Sequence, residues 1–214
     1  MKKLKVIIFD YDLTLYNVNE RYHNNYWVGY TTDLINNITY DITLEERGKF
    51  LKKYNLNKNR SVENFAKACT GMWGNCERLL NYMMTHDFEQ DYENMTFIDS
   101  EIIEKLSEKY NLYIISNAPS TNIIRQLRDI AGINPNLFKE VLTNPHNKED
   151  NTKAYVIKQI IAKENVNPDE VLMLGDNMEV DVIPAINIGV NAKLVKKLDE
   201  ILPIINEAEN TCKI

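Results

Sequence analysis

The stretch Leu4–Tyr16, L-K-V-I-I-F-D-Y-D-L-T-L-Y, constrains the chain more than any other. Leu4, Val6, Ile7, Ile8 and Phe9 form a short, β-branched and almost unbroken apolar run. Such a run predicts a strand buried on both faces of a parallel sheet. It stops at Asp10 and Asp12, with Thr14 close behind. In open α/β sheets, ligands bind beyond the carboxyl ends of the strands. While the chain stays extended, side chains two positions apart project to the same side. Two carboxylates so placed repel, which raises the pKa of one and favours a proton on it. The pair suits an ionised nucleophile beside a proton donor, and equally a hard cation such as Mg²⁺. The plainer alternative is a strand that ends in a solvated, aspartate-rich turn.

Composition narrows the setting. A length of 214 residues fits one domain with a large insertion, or two small domains. The net charge of −6 argues against a nucleic-acid polymer as partner, because such surfaces are strongly basic. It does not oppose a small anionic substrate, since a metal and one lysine can reverse the local potential. Cys69, Cys76 and Cys212 are odd in number and lack a zinc spacing, so they read as small buried residues. Lys2, Lys3 and Lys5 precede an apolar core too short for a secretory leader, and no apolar stretch reaches membrane-spanning length. The expectation is a reduced, cytoplasmic protein with no membrane partner.

Along the chain, Asn17 to about Ile38 carries Tyr22, Tyr26, Tyr30, Leu34 and Ile38 at fourfold spacing, with Trp27 alongside, which predicts a helix with an aromatic face. Thr43-Leu-Glu-Glu46 has the capping-box pattern of a second helix, through about Tyr54. Ser61 can cap a third over Val62, Phe65, Ala66 and Cys69, interrupted by Gly71 and Gly74. A fourth runs from about Asn75 to Thr85, and Asp87 to Asn94 reads as an acidic loop. Residues 16–93 are therefore expected to be helical, without a strand. Strands and helices then alternate. Strands are expected at Leu112–Ile115, Glu140–Leu142, Val171–Leu174 and Ala192–Val195. Helices are expected at Glu101–Tyr110, Thr121–Ala131, Asn151–Asn165, Asp181–Ile188 and Leu198–Glu207. The fold class is α/β, a doubly wound parallel sheet of residues 1–15 and 94–214 with an inserted all-helical block. The first strand ends in Asp10 and Asp12, the second in Ser116 and Asn117, and the fourth in Asp176 and Asn177. A parallel sheet brings these ends to one edge.

These residues resemble the haloacid dehalogenase-like hydrolase superfamily. Asp10-Tyr-Asp12-Leu-Thr14 matches its D-x-D-x-T motif, Ser116-Asn117 its second, Lys153 its third, and Gly175-Asp176-Asn-Met-Glu-Val-Asp181 its G-D-x-x-x-x-D motif. The match spans about residues 4–195. Many relatives have Lys-Pro where this chain has Lys153-Ala154, and Lys148, Lys158 and Lys163 lie nearby. The resemblance implies a Rossmann-like core and a helical cap of the first insertion class at 16–93. It implies that Asp10 is the nucleophile, forming an aspartyl-phosphate, and that Asp12 is the acid and base. Ser116, Asn117, Thr14 and Lys153 would bind the phosphoryl group. Mg²⁺ would be held by Asp10, the Asp12 carbonyl, Asp176, and Asp181 directly or through water.

The dehalogenases of the superfamily lack the second aspartate, so Asp12 favours phosphoryl transfer. The expected activity is Mg²⁺-dependent hydrolysis of a small phosphomonoester, a nucleotide or sugar phosphate. A phosphomutase, a phosphoaspartyl receiver domain and a non-catalytic binding module are the alternatives. The Leu15-Tyr16 and Glu45-Glu46-Arg47-Gly48 layout is similar to pyrimidine and related 5′-nucleotidases. Tyr16, Asn17, Arg21, Tyr22 and Arg47 are therefore candidate specificity residues, although packing or surface roles compete for each. His23, His86 and His146 fall outside the motifs.

Overall fold

The computed structural model describes residues 3–18, 32, 34–56, 62–75, 77–85, 95–143 and 153–211. Five parallel strands form one sheet in the order β5-β4-β1-β6-β7: β1 (Val6–Phe9), β4 (Asn111–Ser116), β5 (Phe138–Thr143), β6 (Val171–Gly175) and β7 (Asn191–Leu194). β1 lies at the centre, with Val6 opposite Asn111 and Val171, and Phe9 opposite Ile114 and Leu174. Its side chains explain that position. Val6 and Ile8 join Tyr113, Ile115, Val171 and Met173 on one face, against Val156, Ile157 and Ile160 of the helix Lys153–Glu164. Ile7, Phe9, Leu112, Ile114, Leu172 and Leu174 alternate to the other face and are equally buried. A strand covered on both sides needs apolar residues at every position, which is what the run supplies.

Two further strands were not expected. β2 (Tyr16–Val18) and β3 (Met95–Phe97) form a two-stranded ribbon, and the Ile98 amide donates to the Leu15 carbonyl. The reading of 16–93 as strand-free is corrected at its first residues. Three-residue strands are too short to show a period of two.

Chain contacts divide the protein into two compact units, residues 1–17 with 95–214, and residues 18–94. Past Val18, the last residue of β2, the elements described in the second are helices: residues 34–38, then α1 (Leu44–Lys53), α2 (Val62–Trp73) and α3 (Glu77–Thr85). The capping box at Thr43 is present, with the Glu46 amide donating to Thr43 Oγ1 (3.2 Å) and the Thr43 amide to Glu46 (2.9 Å). Leu34, Ile35, Ile38, Phe50, Leu56, Phe65, Ala68, Cys69 and Leu79 make a separate core, in which the Phe50 and Phe65 rings meet edge to face. Gly71 does not interrupt α2. The Tyr54 ring lies against it, and a Cβ there would overlap the phenol. The aromatic residues Tyr22, Tyr26, Trp27 and Tyr30, the cap Ser61, residues 87–94, Lys148, Cys76, Cys212 and the three histidines lie outside the described residues. Among the described residues, no helix is long and apolar enough to cross a membrane.

Candidate active site

The carboxyl ends of β1 and β6 carry charged groups, and that of β4 carries Ser116. Register does this: the Asp10 amide donates to the Leu174 carbonyl (2.8 Å), so Asp10 leaves β1 one step before Asp176 leaves β6. From Asp12 the chain turns, with the Leu15 amide donating to the Tyr11 carbonyl (3.0 Å). Leu13 sits at the turn with a left-handed backbone, φ 57°. A leucine adopts that region at a cost of about 1–2 kcal/mol.

Lys153 opens its helix beneath this edge and is 2% exposed. Its Nζ donates to Asp10 Oδ1 and to Asp181 Oδ1, the latter at 2.6 Å. Lys153 is therefore the lysine brought to Asp10. Lys163 instead pairs with Glu140 on the surface (2.6 Å). Carboxylate oxygens of Asp10, Asp176 and Asp181 lie within 4.8 Å of one another. Asp181 reaches the cluster through a wide, π-type turn at Met178–Val182, three residues ahead of the helix start expected at Asp181. Asn177 holds that turn: its Oδ1 accepts from the Glu179 and Val180 amides, and its own amide donates to Asp181 Oδ2 (2.9 Å). Gly175 completes the fit, since a Cβ there would overlap the Asp181 side chain. This glycine is required by close approach and not by backbone angle.

Asp12 stands beside the cluster. Tyr16 Oη donates to its Oδ1 (2.7 Å) and Ser116 Oγ to its Oδ2 (3.1 Å). The Ser116 oxygen also accepts from the Ala118 amide (3.0 Å). Thr14, expected among the phosphate-binding residues, is fully buried, and its hydroxyl donates to Asp10 Oδ2 (3.3 Å). Asn117 follows Ser116 at the end of β4.

Electrostatics follow from crowding acids around one cation. Burial raises the Asp10 pKa well above the usual carboxylate range; Lys153 opposes this, while Asp181 and Asp12 add to it. Burial likewise raises Asp12, opposed by the hydrogen bonds from Tyr16 and Ser116. Burial and the Asp181 charge push Asp176 up to about 6. Burial alone would lower the Lys153 pKa, but Asp10 and Asp181 overcome it and the net shift is upward. Three clustered carboxylates offering hard oxygen donors fit a divalent cation, whose charge would relieve their repulsion.

Two features escaped the sequence. Tyr16, weighed as a specificity residue, is 2% exposed and spends its hydroxyl on Asp12. Its position four residues after Asp12, past a turn, is the only signal there was. Arg47, weighed likewise, donates to Asn36 Oδ1 within the insertion. Arg21 and Tyr22 lie outside the described residues.

The family model for haloacid dehalogenase-like hydrolases matches residues 7–195, and the chain belongs to that family. Solved structures share its fold. A HAD phosphatase from Thermococcus onnurineus is 19% identical with a TM-score of 0.56, covering 94% of this chain and 98% of its own. A haloacid dehalogenase-like family hydrolase from Streptococcus pneumoniae is 15% identical (TM-score 0.57; 94% and 98%). The HAD-hydrolase YfnB from Bacillus subtilis, bound to magnesium, is 15% identical (TM-score 0.53; 96% and 100%). No curated protein matches the sequence significantly.

Proposed function

We propose that this hydrolase is a Mg²⁺-dependent phosphatase, acting in the cytoplasm on a small phosphomonoester through an aspartyl-phosphate on Asp10. One observation carries the reading: Asp10 is held by the buried Lys153, and a second carboxylate, Asp12, stands beside it with hydrogen bonds to both oxygens. A departing alkoxide needs a proton, whereas a departing halide does not, so Asp12 favours phosphoryl transfer over dehalogenation. The phosphatase from Thermococcus onnurineus and the magnesium-bound hydrolase from Bacillus subtilis support it as relatives in fold.

In this reading Asp10 attacks phosphorus as the bond to the leaving oxygen breaks, and Asp12 gives that oxygen its proton. Asp12 then takes a proton from water, which attacks the aspartyl-phosphate and frees Asp10. Thr14 and Lys153 orient the Asp10 carboxylate. Ser116, the Asn117 backbone and Lys153 hydrogen-bond the transferring oxygens. Mg²⁺ held by Asp10, the Asp12 carbonyl, Asp176 and, directly or through water, Asp181 would supply positive charge against the anionic phosphate. The insertion, residues 18–94, serves as a cap that limits access to small soluble esters.

The test is phosphate release from a panel of nucleoside monophosphates and sugar phosphates, with Mg²⁺ or with chelator. Release should be chelator-sensitive and should fall by about 10³-fold or more in Asp10→Asn. Equal release from wild type and Asp10→Asn would remove Asp10 as the nucleophile. No release from any ester would remove the phosphatase reading.

A further inference from the structure

Asp12 must hand over a proton along a defined direction, and a lone carboxylate turns freely about its Cβ–Cγ bond. We infer that Tyr16 is the positioning residue that aims Asp12 at the leaving oxygen; this rests on the phosphatase reading above. The Tyr16 hydroxyl donates to one Asp12 oxygen (2.7 Å) and Ser116 to the other (3.1 Å). The two donors come from different elements, β2 and β4, so together they fix the plane of the carboxyl group. Ser116 cannot do this alone, because one bond leaves a pivot.

Tyr16 is built to stay in place. Its ring packs edge-on to Tyr11 (centroids 5.3 Å) and tilted against Phe97 (5.4 Å). Tyr11 is 1% exposed and donates to the buried Gln126 (2.8 Å). A phenol at 2% exposure, clamped between two rings, holds its oxygen to a small volume at little entropic cost.

The chemistry gives a signature that packing alone would not. As the phosphorus–oxygen bond breaks, its electron pair stays on the leaving oxygen and the Asp12 proton neutralises it. An alkoxide needs that proton; p-nitrophenolate is stable without it. Loss of aim should therefore hurt an alkyl ester more than an activated aryl ester.

The experiment compares kcat/KM for β-glycerophosphate and p-nitrophenyl phosphate, with Mg²⁺, in wild type, Tyr16→Phe and Asp12→Asn. Phenylalanine keeps the ring packing and deletes only the hydroxyl. The ratio of the two constants does not depend on the fraction of folded protein, so an unstable variant still reports. Tyr16→Phe should move the ratio against the alkyl ester by about tenfold, and Asp12→Asn by more. An unchanged ratio in Tyr16→Phe, with a shifted ratio in Asp12→Asn, would overturn the role of Tyr16 and leave Asp12 as the acid. An unchanged ratio in Asp12→Asn would overturn Asp12 as the acid and the Tyr16 role with it, whereas no hydrolysis by wild type would overturn the phosphatase reading itself.

Discussion

The two units of this protein bury different things. Among the described residues, Asp10, Thr14, Ser116, Gln126, Lys153, Glu170 and Asp181 are buried polar groups of the sheet unit. Among the described residues of the insertion, the buried polar group is Thr39, whose hydroxyl returns to the Ile35 carbonyl one turn back. Both units have apolar cores of the ordinary kind. Burying a charge is costly unless it is paired, and the sheet unit does so repeatedly at one edge. The insertion spends its burial on packing. The difference fits the chemistry proposed for that edge: groups that cost stability where they stand are there for another reason.

The sharpest way to break this comparison is to unbalance the buried cluster. Lys153→Met leaves Asp10 and Asp181 facing each other without their cation, and should cost about 3–5 kcal/mol in denaturant unfolding. Asp10→Asn leaves the Lys153–Asp181 pair intact, so it should cost far less. If Lys153→Met unfolds at the wild-type midpoint, the charges are not held by one another and the contrast fails. A smaller effect belongs to the insertion. Phe65→Leu exchanges one apolar group for another of smaller volume against Phe50 and should cost about 1 kcal/mol. A cost above that of Lys153→Met would reverse the ranking of the two units.

The smallest effect is a pH dependence. Glu170 accepts from the Asn167 amide (2.8 Å) and pairs with Lys5 (2.8 Å), and these contacts hold its carboxyl down to about 2. Because the folded pKa lies below the unfolded one, near 4.5, the contribution is complete above that value. It is lost as pH falls toward 2. Glu170→Gln should therefore unfold earlier than wild type in urea at neutral pH, and the gap should close on acidification through that window. A gap that persists at the lowest pH would assign the loss to shape and not to charge.

Much of the sheet unit was legible because its constraints are local. The runs at Val6–Phe9, Leu112–Ile115 and Val171–Leu174 are apolar at successive positions, and each is followed at once by the polar residues that share the sheet edge. What escaped depends on contacts that no repeating pattern announces. The ribbon of Tyr16–Val18 with Met95–Phe97 has too few residues on each side to carry a pattern. Gly71 looks like a helix breaker until the Tyr54 ring is seen against it. The wide turn before Asp181 arises from Asn177 closing on that carboxylate, which spacing does not reveal. Tyr16 offers an aromatic residue to the reader of the sequence, and only the fold shows where its hydroxyl goes.

The same ribbon has a consequence for how such a protein can change over generations. The chain leaves the sheet unit along β2 and returns along β3, its paired neighbour. Everything between is, topologically, a single loop whose ends are already closed. Each doubling of such a loop costs only about 0.6 kcal/mol. Segments can therefore be lengthened, shortened or replaced there without shifting the strand register that sets Asp10 against Asp176.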